Sequence, residues 1–148
     1  MGKSTLRPLE NNDTPLYGPK GILVCGLDTS QAERFKHLIK ALAWSDVPLI
    51  FAGMEHLATP VADLFETQPA TIEPMGGVAV IMGGITGGQL HQLMAVWNAV
   101  GLLPTLWATL QQESSTWPLA TLLKHLAEEH RKAMEARKNE AAEAARPS

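Results

Sequence analysis

One cysteine, Cys25, stands in a chain of 148 residues, so neither an internal disulfide framework nor a thiolate zinc site is available. A reducing compartment fits best, and the expected location is the cytoplasm. Cationic excess is missing as well: residues 1–127 hold 7 Lys or Arg against 10 Asp or Glu, residues 128–148 hold 5 of each, and the formal net charge is -3. There is no basic field to draw in nucleic acid, and aromatic residues, at 5%, form no base-stacking platform. No apolar run is long enough to span a bilayer. Residues 1–20 carry Arg7, Glu10, Asp13 and the prolines Pro8, Pro15 and Pro19 where a signal peptide would have an apolar core. Leu6 occupies the place where a myristoylation signal wants Ser or Thr. The expectation is a chain that meets neither nucleic acid nor membrane. Its five histidines (His37, His56, His91, His125, His130) include no HExxH pair, so no metal is expected. Gly2-Lys3-Ser4 lacks the preceding strand and upstream glycine of a phosphate-binding loop.

What the chain does have is an internal repeat. Residues 24–65 and 81–123 each read as strand, capped helix, Pro-led strand, loop and second capped helix. At an offset of 56, Ser30-Gln31-Ala32-Glu33 lies over Thr86-Gly87-Gly88-Gln89, and both fit the capping box, in which a hydroxyl and an N3 Glu or Gln satisfy donors orphaned at a helix start. The same offset carries Pro48-Leu49-Ile50-Phe51-Ala52 onto Pro104-Thr105-Leu106-Trp107-Ala108. With one residue inserted before the Thr and Trp117 after it, the second helix starts, Thr59-Pro60 and Thr116-Trp117-Pro118, also align.

Residues 21–26 form a short apolar run ended by glycine, the pattern of a strand buried on both faces. In the helix expected over 31–43, Phe35, Leu38, Ile39 and Leu42 share one face. Strands are expected at 47–52, 78–82 and 105–110, a short helix at 60–66, and a helix from 89 to a stop at Gly101. The last helix fades after Ala127 into a charged segment that can be a solvated helix, with Glu128/Lys132 and Arg131/Glu135 four apart. Three parts follow: a disordered arm (1–20), one duplicated α/β domain (21–127) and a charged helical or disordered tail (128–148). The order β-α-β-α-β-α-β-α favours a four-stranded, mainly parallel sheet in the order 2-1-3-4, with two helices on each face. The alternative is a ferredoxin-like α+β sandwich.

In a parallel sheet the carboxyl ends of the first and third strands would lie side by side and open a crevice. Its candidate ligand residues are Gly26, Asp28, Gly83, Gly84, Thr86, Gly87, Gly88 and His91. Exposed N–H groups at a helix start, with glycines allowing close approach, suit a small anion. The competing reading gives these glycines only tight turning. Asp28 would repel an anion unless a metal or a ribose hydroxyl intervened, and fits equally as a helix cap. Cys25 reads as a buried apolar residue or a nucleophile at a strand end, His91 as a solvated helix residue or a ligand group. No catalytic residue set and no cofactor is expected.

The motifs Gly84-Ile85-Thr86, Leu103-Pro104 with Trp107-Ala108, and Trp117-Pro118-Leu119 leading to Leu122-Leu123 and Glu128-Glu129-His130 resemble a small bacterial family, domain of unknown function 3783. The resemblance extends over roughly residues 21–130 and implies no catalytic residue, because that family has no assigned activity. The functional expectation is a non-enzymatic binding or regulatory module for a small anionic metabolite or a protein partner. The alternatives are a small transferase or hydrolase using Asp28, His91 or Cys25, and a homo-oligomerisation unit tethered by the tail helix.

Overall fold

The computed structural model of the chain describes residues 14–99 and 105–145. Residues 1–13, Gly101 and the Leu103-Pro104 step lie outside the described residues. Among the described residues four strands and four α-helices alternate: β1 (Gly21–Cys25), α1 (Thr29–Ala41), β2 (Leu49–Ala52), α2 (Val61–Thr67), β3 (Val78–Gly83), α3 (Gly87–Ala99), β4 (Thr105–Thr109) and α4 (Leu119–Ala145). The uniformly apolar runs of β1 and β3 are buried along their whole length, which places them at the centre of the sheet. The sheet order is β2-β1-β3-β4, as the sequence predicts. Phe35 and Ile39 of α1 pack with Leu93 and Trp97 of α3 on one face. Val61, Leu64 and Phe65 of α2 join Leu119 and Leu122 of α4 on the other. An edge-to-face chain of rings, Phe35 to Trp97 at 5.4 Å and Trp97 to Trp107 at 5.2 Å, ties α1 through α3 to β4. Such pairs add about 1 kcal/mol beyond the area they bury.

The strand directions require a correction. β1 pairs with β2 and β3 with β4 in parallel, but β1 and β3 run antiparallel, with Gly21 opposite Gly83 and Cys25 opposite Ala79. The cause lies in the connector after α2. Phe51 N–H donates to Pro69 O at 2.8 Å and Thr71 N–H to Phe51 O at 2.9 Å, so residues 69–71 make one more pass, parallel to β2 along its outer edge. The chain is then back at the carboxyl end of β1, where Pro74 bridges Gly26, and β3 can only run the opposite way. The ferredoxin-like alternative shares the antiparallel centre but separates the strands that here pair directly across α1 and α3.

Pairing also moves the offset between the halves from 56 to 58. Ile22 faces Leu49 as Val80 faces Trp107, and Leu23 faces Ile50 as Ile81 faces Ala108. Gly26 and Gly84 share a positive φ (96° and 65°). Helix α1 starts on Asp28, with the box partner Gln31, and α3 on Thr86 with Gln89. Ser30 lies inside α1, so the box expected there does not form. Two contacts fall on the local two-fold axis, where residues 58 apart meet: Leu23 with Ile81 in the sheet, and Pro60 with Pro118 at the starts of α2 and α4. Around the prolines the hydrogen bonds are reciprocal, Val61 N–H to Trp117 O and Leu119 N–H to Thr59 O, both 2.9 Å. Thr59 is therefore matched by Trp117, with no insertion between them.

Residues 14–20, counted with the arm in the sequence, lie against the start of α3. Leu16 N–H donates to Ile85 O at 2.8 Å, and Tyr17 O accepts from Gly84 N–H at 3.3 Å. At the other end α4 continues as one helix of 27 residues whose residues after Ala127 are exposed as far as they are described. There Arg131 bridges Glu128 and Glu135, which holds the Glu128 carboxyl below its ordinary range.

Candidate functional site

Antiparallel pairing of β1 with β3 sends the two glycine turns to opposite ends of the sheet. Gly26 and Asp28 lie at one end and Gly83, Gly84, Thr86, Gly87, Gly88 and His91 at the other, separated by a five-residue strand, roughly 17 Å. The single crevice expected from the sequence is not formed. Each turn is also occupied by its own fold. Asp28 Oδ1 accepts from Gln31 N–H at 2.8 Å, and Gln31 Oε1 accepts from Asp28 N–H at 3.0 Å, so this carboxylate is a helix cap. In the second turn Gln89 Oε1 takes the Thr86 N–H at 2.9 Å and Tyr17 takes that of Gly84, which removes two donors an anion would use. A side chain at Gly84 would run into the Pro19–Lys20 backbone, and one at Gly26 into the Gly77 carbonyl. Close backbone approach is thus the demonstrated use of both glycines.

Other candidates disperse in the same way. Cys25 is 2% exposed, and burial pushes its thiol up to about 12, far from nucleophilic. His91 is exposed on the first turn of α3. His56 Nδ1 accepts from Gly53 N–H at 3.0 Å and so closes a local turn. Among the described residues no group of His, Cys, Asp and Glu could hold a metal, and no helix is long and apolar enough to cross a membrane.

A groove of about 520 Å³ runs along the outer edge of β4. Leu90 and Met94 of α3 form one wall, and Leu122, His125, Leu126 and Glu129 of α4 the other. Trp107, Ala108 and Thr109 form the floor, and Gln111, Glu113, Ser114 and Trp117 close one end. The His125 ring stands edge-on to Trp117 at 5.3 Å, and its Nε2 lies 3.4 Å from Glu129. The groove is apolar below and acidic at the rim. Trp107 packs against the core between the sheet, α1 and α3, yet every residue of β4 is only half-buried. The available signal is the pair of threonines, Thr105 and Thr109, that bound the uncharged Leu106-Trp107-Ala108: the all-apolar runs of β1 and β3 lack such polar ends, and an edge guarded by charge would carry Lys or Glu. A second crevice, about 490 Å³, lies between the start of β3 and the middle of α4, lined by Cys25, Gly76, Gly77, Leu123 and His130.

No curated protein and no solved structure matches this chain. The family model for a domain of unknown function (DUF3783) matches residues 78–132. That stretch holds β3, α3, β4 and the first half of α4, and with them both walls and the floor of the groove. It is narrower than the 21–130 over which the resemblance was read, and it contains every motif on which that resemblance rested, so the likeness to DUF3783 is a likeness of the second half of the chain.

Proposed function

We propose that this chain is a non-enzymatic binding module, working in a reducing bacterial cytoplasm, whose binding surface is the groove beside β4 and whose ligand is a protein. The observation that carries the reading is an edge strand of half-buried, uncharged residues flanked by apolar helix walls. Large, rimmed apolar surfaces of this kind are what protein partners cover. A small anion at the glycine turns is the weaker reading, because the Asp28 carboxylate caps one turn and the Thr86–Gln89 box engages the other. The enzyme alternative is weaker still, since His91 lies at the opposite end of the sheet from Asp28 and Cys25, and Cys25 is buried. We take the common offset of 58 as the trace of a duplicated β-α-β-α unit. In this reading the first half kept its outer edge covered and the second half opened its own for binding.

The test is quantitative capture from cell extract on three immobilised full-length baits: wild type, Met94→Glu, and Gly87→Ala with Gly88→Ala. Proteins retained by wild type and the glycine variant but lost on Met94→Glu support the groove. Retention unchanged by Met94→Glu and lost with the glycines would return the site to the α3 turn.

A further inference from the structure

The two outer edges of this sheet sit in equivalent positions and are treated differently. On β2 the chain covers Phe51 with its own residues 69–71, through hydrogen bonds on both sides of that residue. The equivalent position on β4 is Thr109, 58 residues on. The segment that would cover it, residues 127–129, stays inside α4. Among the described residues no strand pairs with the outer edge of β4. Leu110 N–H donates inward to Met82 O at 2.7 Å, so by alternation the backbone groups of Trp107 and Thr109 point outward. β4 also lacks the usual deterrents to pairing: no Lys, no internal Pro, no bulge, no charge of either sign.

We infer that the groove's occupant is a second copy of this chain, joined by antiparallel pairing of β4 with β4 into one eight-stranded sheet. This rests on the groove being the binding surface and names what fills it. Centred on Trp107, the strand is self-complementary: Trp107 meets Trp107 on the α3 face, and Leu106 meets Ala108 on the α4 face.

The tail selects this occupant over an unrelated strand. Helix α4 runs back over β4, from Trp117 and Leu122 at the Gln111 end of the groove to His130 beside Thr105. Its 27 residues span about 40 Å against about 17 Å for the strand, so the helix continues past the amino end of β4. Among the described residues that extension is uncovered in its own copy: Met134 is half exposed, and Lys132, Arg137 and Lys138 are exposed. An antiparallel seam sets the carboxyl end of one β4 beside the amino end of the other. The acidic rim of one copy, Glu113, then meets the Arg137-Lys138 pair on the α4 extension of the other. Two such contacts form per dimer, as a two-fold interface requires. Like charges would meet instead if the strands paired in parallel.

The test is sedimentation velocity of the full-length protein from roughly 1 to 100 µM, with circular dichroism on every variant. A dimer is expected. Thr109→Pro removes an outward N–H while leaving the β3 ladder intact, and it should weaken the dimer by about tenfold or more. Glu113→Lys should weaken it severalfold, and adding Arg137→Glu with Lys138→Glu to that chain should restore it. This charge swap decides the matter even if Thr109→Pro fails to fold. A monomer at every concentration overturns the inference and leaves the groove reading to the bait comparison. A dimer insensitive to Thr109→Pro and to the charge swap places the interface elsewhere and overturns it as well.

Discussion

Burial fixes the chemistry of Cys25. With its thiol raised from 9.0 to about 12, the folded state holds the proton more tightly than the unfolded chain does. The stability this contributes is complete below about pH 9 and is lost as pH rises from 9 toward 12, by up to about 1.4 kcal/mol per pH unit. Urea midpoints of wild type should therefore fall relative to those of Cys25→Ala between pH 8 and 10.5, and native Cys25 should resist a thiol reagent at pH 8 that labels it at once in urea. Rapid native labelling would mean the β1 end opens freely. Glycines divide just as sharply. Gly84→Ala forces a side chain into φ 65° and against the Lys20 backbone, and should cost about 1–3 kcal/mol by denaturant melt. Gly77 has nothing within 4 Å of a built side chain, so Gly77→Ala should be neutral or stabilising by about half a kcal/mol.

At the scale of elements, two neighbouring polar residues at the start of α1 make opposite predictions. Asp28→Ala breaks a reciprocal cap and should cost about 1 kcal/mol, whereas exposed Ser30→Ala should shift the urea midpoint hardly at all. The reverse result would restore the 56-residue offset. Among the described residues, sequence spacing located the four strands and four α-helices and ordered the sheet, because periodicity and apolar runs report burial, and burial is what they share with the fold. It could not report direction. A strand buried on both faces, like β3, has the same pattern read either way. The deciding segment, Pro69-Ala70-Thr71, is too short to show alternation and lies between prolines that mark turns. Helix α2, at seven residues or about 10 Å, was a further hint that the connection differs from the thirteen-residue crossovers of α1 and α3.

For the whole molecule, the direction of one strand decided the fate of the site. Part of the expected crevice does turn, since Gly26 and Gly84 adopt left-handed φ and Thr86 caps a helix, whereas Gly83 ends β3 and Gly87, Gly88 and His91 lie within α3. Their juxtaposition was the part that depended on pairing across 58 residues, which local spacing does not encode. The β4 groove escaped notice for a related reason. Its walls come from α3 and α4, and its openness is the absence of a neighbouring strand among the described residues, which is a property of the assembled sheet.

The two axis contacts, Leu23 with Ile81 and Pro60 with Pro118, also set a clock. Each half can build its parallel pair around its own helix from nearby residues, but the contacts that unite the halves all wait on closing a loop of about that 58-residue separation. Closure entropy grows only logarithmically with length, about 0.6 kcal/mol per doubling. Residues inserted between the open glycines Gly76 and Gly77 would accordingly slow refolding slightly and leave unfolding unchanged, a molecule whose assembly rate is tunable at one joint without loosening what it joins.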